Sequence, residues 1–223
     1  MIDIVKVKDR NQGQKKAHGL LKKIVDSNTL LALSGGTSVD YQKMIVVPAD
    51  IIPGTICVVD ERFGEPFHRD SNELLLKDAG IKEFADEECI ESHKILKGKD
   101  FLETAKEYEK EIEDLFLRSK KKVGVMGVGS NMHTAGIFPE SVAVKSPNYV
   151  EAEVVRDVFP KRITLTLKAL GEFTSFVILM FGEEKKEALK ILLDTKVNDM
   201  RKFPAIFYRK VPVETFLITD ISI

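Results

Sequence analysis

Three stretches of this chain combine residue types that can do chemistry. In Leu33-Ser34-Gly35-Gly36-Thr37-Ser38, two glycines stand beside two hydroxyl side chains. Paired glycines let a backbone turn sharply and present its N–H groups to an anion. Thr37 and Ser38 would add donors, and a helix starting there would aim its positive end at the ligand. The stretch has neither the lysine of a P-loop nor the spacing of a dinucleotide fingerprint. An ordinary Gly-Gly turn and an anion cradle both remain open. The second stretch is Gly127-Val128-Gly129-Ser130-Asn131-Met132-His133-Thr134. A dinucleotide fingerprint would need a third glycine where Met132 stands. His133, just past the turn, is where an imidazole can reach into a cleft, although a lone histidine is more often a surface or satisfied core residue. The third is Asp60-Glu61-Arg62. Three charges at the end of an apolar run cannot all be buried unpaired. They form either a solvated loop or an orienting carboxylate beside an arginine that clamps a phosphate.

Each stretch directly follows an apolar run that reads as a buried strand: Thr29 to Leu33, Thr55 to Val59 and Lys122 to Met126. Thr174 to Phe181 and Val213 to Thr219 are two more, and continuous runs of this kind suit parallel sheets covered on both faces. Helical spacing falls between them, at Gln14 to Val25, at Glu183 to Leu193, and in the series Phe101, Leu102, Ala105, Tyr108, Ile112, Leu115 and Phe116. Asp100 followed by Glu103 resembles a capping box. The alternation predicts an α/β fold with a single doubly wound, mostly parallel sheet flanked by helices (Rossmann-like), residues 1–223 forming one domain. In such sheets ligands bind beyond the carboxyl ends of the strands, so the polar residues of all three stretches should share one edge.

The bulk numbers exclude several classes. The chain has 223 residues, a formal net charge of -1 and 31% charged residues, so no global basic field invites nucleic acid. Cys57 and Cys89 cannot make a disulfide framework, and two packed thiols in a reducing compartment are expected. No His or Cys pair has metal-ligand spacing; His18, His68 and His93 lack even the context of His133. There is no signal-peptide pattern at the start and no apolar stretch near the roughly 18 residues a membrane helix needs. The expectation is a cytoplasmic protein with no membrane partner.

Taken together and in this order, the motifs resemble the 6-phosphogluconolactonase branch of the superfamily that also contains the glucosamine-6-phosphate deaminases. They are Leu33 to Gly36, Asp60-Glu61-Arg62-Phe63 with Pro66 and Ser71-Asn72, the block Gly127 to Pro139, Arg162 to Thr166, and Gly182 to Lys185. The resemblance implies hydrolysis of 6-phosphoglucono-δ-lactone in the oxidative pentose phosphate pathway, with His133 as the base that takes a proton from the attacking water. It implies that Asp60 holds the imidazole or the substrate, and that Arg62, Arg162 and Lys185 bind phosphate, assisted by Gly35, Gly36, Thr37 and Ser38. Ser71, Asn72 and Gly129 complete the implied substrate site, and backbone N–H groups near Gly35 or Gly129 are candidates for the oxyanion. No metal or organic cofactor is implied; the partner is a small phosphosugar lactone, and the chain a monomer or small homo-oligomer.

The match has one pointed departure. The branch carries Asp-Gly before the histidine, whereas this chain has Asn131-Met132. Asn131 joins His133 and Asp60 as a catalytic candidate, since its carbonyl can hold the ring, but it brings no charge. Met132 would be strained if the backbone there is left-handed. Two alternatives follow: a catalytically impaired sugar-phosphate-binding protein, or an amino-sugar-phosphate deaminase or isomerase. Against the latter, deaminases carry Asp-Glu-Tyr where this chain has Asp60-Glu61-Arg62, and an Asn-Glu-Pro segment after the histidine.

Overall fold

A computed structural model describes residues 2–36 and 38–222. Thr37, one of the expected hydroxyl donors, lies outside the described residues. The chain opens with β1 (Ile2–Lys6) and α1 (Arg10–Ile24), capped by the Asp9 carboxylate, which accepts from Gln12 N–H at 2.8 Å. β2 (Thr29–Leu33) is buried at every position. β3 (Thr55–Val58) lies beside it, and one residue later the charged Asp60–Arg62 segment forms a separate strand, β4, rather than the solvated loop that its composition allowed. Two short helices, α2 (Asn72–Asp78) and α3 (Ile81–Glu87), lead to β5 (Glu91–His93).

α4 (Phe101–Arg118) follows, its Asp100 cap accepting from Glu103 N–H at 2.9 Å. Its buried stripe includes Ala105, Tyr108, Ile112, Leu115 and Phe116, whereas Leu102, placed on that stripe by its spacing, is 61% exposed. The stripe is anchored one residue earlier, where the Phe101 ring packs on Phe63 at 4.9 Å between centroids. Next come β6 (Lys121–Gly127), β7 (Val150–Val154), β8 (Lys161–Leu165), α5 (Leu167–Leu170) and the fully buried β9 (Ser175–Met180). α6 (Lys186–Leu193) follows a 3₁₀ turn over Glu183–Lys185, and α7 (Phe207–Lys210) precedes β10 (Glu214–Thr219).

The described strands make two sheets. Seven are parallel in the order β1-β10-β9-β6-β2-β3-β5. This is the doubly wound, mostly parallel sheet expected from the apolar runs. The second is a three-stranded antiparallel sheet, β4-β8-β7, which the single-sheet reading did not contain. Val59 joins the two: its N–H donates to Leu33 O and its carbonyl accepts from Leu165 N–H, each at 3.0 Å. β2, β3 and β5 step outward one way, and β6, β9 and β10 the other, so the switch point falls between β2 and β6. Among the described residues no helix is long and apolar enough to cross a membrane.

Candidate active site

The crevice at the switch point is a cleft of about 560 Å³, walled by the turns after β2 and β6, by β4 and β8, and by the Glu184-Lys185 corner after β9. Gly35, Gly36, Ser38, Asp60, Arg62, Asn72, Gly129, Asn131, His133, Arg162 and Lys185 all line it. Ser71 does not. Its hydroxyl accepts from Leu74 N–H at 3.0 Å and caps α2, a use that a serine before an amphipathic run favours.

The histidine is fixed on several sides. Its ring stacks on Phe138 at 4.6 Å between centroids with an 11° interplanar angle. It also lies close against Gly129, where an added Cβ would come within 2.2 Å of Cε1 and Nδ1. Asn131 Oδ1 accepts from the His133 backbone N–H at 3.1 Å and sits 2.6 Å from ring Nδ1. A backbone N–H can only donate, so the shared atom of Asn131 is its oxygen, and ring Nδ1 must then carry a proton. In the neutral ring this leaves the lone pair on Nε2, which has no hydrogen-bond partner among the described residues. Burial pushes the imidazole down to about 4; Arg162, Lys185 and Arg62 push the same way, and Asp157 opposes them. The ring is therefore neutral at pH 7.

The loop that carries it is strained. Met132 has φ 68° and Ala135 φ 50°, so the left-handed geometry that favours glycine is present at 132. Met132 is held there by burial, at 1% exposure, and by Ala205 N–H donating to its carbonyl at 3.0 Å. Thr134 Oγ1 lies 2.9 Å from Gly127 O and 2.7 Å from the Tyr208 hydroxyl, closing the turn.

Two of the cations come from the second sheet. Antiparallel pairing places Arg62 of β4 opposite Arg162 of β8. Opposed residues in such a ladder share a face, so like charges meet where an anion or carboxylates must balance them. Arg162, 5% exposed, is tightly held: Nη2 donates to Asp157 Oδ2 at 2.5 Å, Nε to Phe159 O at 3.1 Å, and Nη1 lies 3.8 Å from Asp60 Oδ2. Arg62 donates from Nη1 to Asp70 O at 2.7 Å and lies over the Phe159 ring at 4.9 Å. Its Nε and the Ser34 hydroxyl are buried without a partner among the described residues. Lys185 donates to Ser38 Oγ at 3.0 Å, and burial holds its pKa below the usual lysine range.

Asp60 makes no hydrogen bond to His133. Its carboxylate faces Arg162, and its carbonyl accepts from Asn72 Nδ2 at 2.7 Å. Burial raises its pKa, against the pull of Arg162 and Arg62. Gly35 is needed on the opposite wall, where a Cβ would lie 2.0 Å from Asn72 Oδ1. Glu61 serves the scaffold: its carboxylate accepts from the backbone N–H groups of Arg62, Asn72 and Glu73 at 2.6 to 2.8 Å. Among the described residues, no helix begins directly at the Gly-Gly turn. Tyr41 hydroxyl donates back to Ser34 O at 2.7 Å and Gln14 takes Ser38 O at 2.8 Å, so only a π-helical turn forms, later, over Gln42–Val46. Phe138, Asp157 and Glu184 also line the cleft. Sequence reasoning gave Asp157 no role, because it enters the cleft only through the turn between β7 and β8.

Comparison with known proteins agrees with this architecture. The family described as glucosamine-6-phosphate isomerases/6-phosphogluconolactonase matches residues 13–216. A 6-phosphogluconolactonase of Xylella fastidiosa is 28% identical over 181 residues, covering 74% of this chain and 72% of that protein. A glucosamine-6-phosphate deaminase of Lactobacillus johnsonii is 24% identical, over 98% of this chain and 95% of its own length. The crystal structure of a 6-phosphogluconolactonase from Shewanella baltica superposes with a TM-score of 0.80 at 20% identity, covering 98% of both chains.

Proposed function

The chain belongs to the glucosamine-6-phosphate isomerase/6-phosphogluconolactonase family, and from that premise we propose that it hydrolyses 6-phosphoglucono-δ-lactone. The observation that carries this reading is the state of His133. It is a neutral ring with its proton on Nδ1 and a free Nε2, fixed by Asn131, Phe138 and Gly129 inside a cleft that holds three cations. Nε2 takes a proton from water as the water oxygen bonds to the lactone carbonyl carbon. The imidazolium then gives that proton to the ring oxygen as the acyl C–O bond breaks. Lys185, Ser38 and the Gly35-Gly36 turn receive the phosphate. Arg162, oriented by Asp157 and the Phe159 carbonyl with Nη1 left without a hydrogen bond among the described residues, brings its charge to the developing oxyanion.

The test compares wild type, His133→Ala and an enzyme-free blank on freshly generated lactone, with ammonia release from glucosamine 6-phosphate as a parallel assay. A lactonase rate well above the blank that disappears in the variant is expected. Ammonia release without lactone hydrolysis would replace this reading with the deaminase, and phosphosugar binding without either reaction would replace it with a binding protein.

A further inference from the structure

The imidazole of His133 sits among charges from several walls of the cleft. Arg62 reaches it from β4, Arg162 from β8 and Lys185 from the corner after β9. These three cations oppose the positive charge that a base acquires when it takes a proton. Asn131, the ring's direct partner, answers with a neutral amide. Asp60 lines the cleft but its carboxylate faces Arg162, and Glu184 is an exposed lining residue beside Lys185. The remaining carboxylate is Asp157. It lines the same cleft at an exposed position, and its Oδ2 accepts from Arg162 Nη2 at 2.5 Å. Its backbone is closed into a tight turn by Val155 N–H to Pro160 O at 2.8 Å and Asp157 N–H to Val155 O at 3.1 Å. Burial works against its charge, yet the Arg162 bond keeps its carboxyl below the usual range, so it is an anion at neutral pH.

We propose that Asp157 is the positioning carboxylate that balances His133 while the imidazole holds a proton, a task for which position 131 supplies only an amide. The inference rests on the reading of His133 as the base. As the water proton reaches Nε2, the new positive charge meets the field of Asp157 across the cleft. As the proton leaves for the ring oxygen, that field returns to Arg162 alone. The counter-charge is thus carried by the turn between β7 and β8 rather than beside the histidine in sequence.

The test is a double-mutant cycle between Asp157→Asn and Asn131→Asp, with Asp157→Glu as the charge-keeping control. In the wild-type background Asp157→Asn is expected to lower kcat about threefold, as for about one pH unit of lost basicity of which about half reaches the transition state, with KM nearly unchanged and Asp157→Glu restoring most of the rate. With aspartate at 131 the same change should cost less than about 1.5-fold, because the two carboxylates share one role. A loss of equal size in both backgrounds, or a change confined to KM, overturns the proposal. An NMR titration of the His133 ring with asparagine kept at position 131 needs no turnover. Adding Asp157→Asn should move the midpoint down by about half a pH unit or more, and an unmoved midpoint overturns the proposal even if the protein proves not to be a lactonase.

Discussion

Changing Asn131 to aspartate should convert a weak base into a stronger one without moving the ring. Asn131 Oδ1 already receives both the His133 backbone N–H and ring Nδ1, so aspartate inherits the geometry and the tautomer and adds one charge. At charge centres about 4 Å apart and an effective dielectric near 20, carboxylate and imidazolium attract by about 4 kcal/mol. Residue 131 is exposed, so solvent screening reduces this to about 2 kcal/mol. At 1.36 kcal/mol per pH unit the imidazole should rise from about 4 to between about 5.5 and 7. If about half of the added basicity reaches the transition state, the rate near pH 8 rises roughly fivefold to thirtyfold. The sign is set by the neutral ring being the active form. In wild type, kcat/KM should be flat from about pH 5 upward and fall only as pH drops through about 4; in the variant the acid limb should move upward to between about 5.5 and 7. Stopped-flow pH-indicator assays on fresh lactone, corrected for spontaneous hydrolysis, measure both quantities. An acid limb that stays near 4 with no gain in rate would refute the reasoning. The same geometry explains why asparagine here should cost less than the roughly 10⁴ of the serine-protease Asp-to-Asn change, where the tautomer is wrong. In this loop the backbone N–H of His133 orients the amide and keeps the proton on Nδ1.

Gly129→Ala should lower kcat about a hundredfold, because a Cβ 2.2 Å from the imidazole forces the ring out of its site, and displacements near 1 Å cost that much; steady-state kinetics would show KM little changed. Met132→Gly should destabilise the fold by about 1–3 kcal/mol in urea titrations, since relief of left-handed strain, about 1–2 kcal/mol, is smaller than the loss of a buried methionine side chain. A variant more stable than wild type would show that strain dominates. Lys185→Ala should raise KM for the phosphorylated lactone by about tenfold or more while leaving unphosphorylated gluconolactone hydrolysis unchanged. Equal losses on both substrates would place Lys185 away from the phosphate. Stability should also fall as pH drops from about 6.5 toward 4, because the unfolded chain protonates His133 before the folded one does. His133→Asn should flatten that part of the curve in denaturant titrations at pH 5 and 7.

What the sequence determined by itself was local. The apolar runs at 29–33, 122–126 and 174–181 can only be buried strands of a covered sheet, and they appear as β2, β6 and β9 within a residue or two. Each is followed by glycine or charge where the chain leaves the sheet, so the strand ends mark the cleft in the sequence itself. The second sheet was not legible. A three-residue strand of Asp60, Glu61 and Arg62 has no apolar alternation to betray it. It exists because Glu61 finds three backbone N–H donors and because β8, a hundred residues later, pairs with it. That pairing sets Arg62 opposite Arg162, turns Asp60 toward arginine rather than histidine, and brings Asp157 to the cleft. Ser71 shows the converse: a serine in a motif reads the same whether its hydroxyl faces substrate or caps a helix. Periodicity records which residues are buried, because burial is a property of each position. Which charges face one another is a property of pairs distant in the chain, and packing alone decided it here.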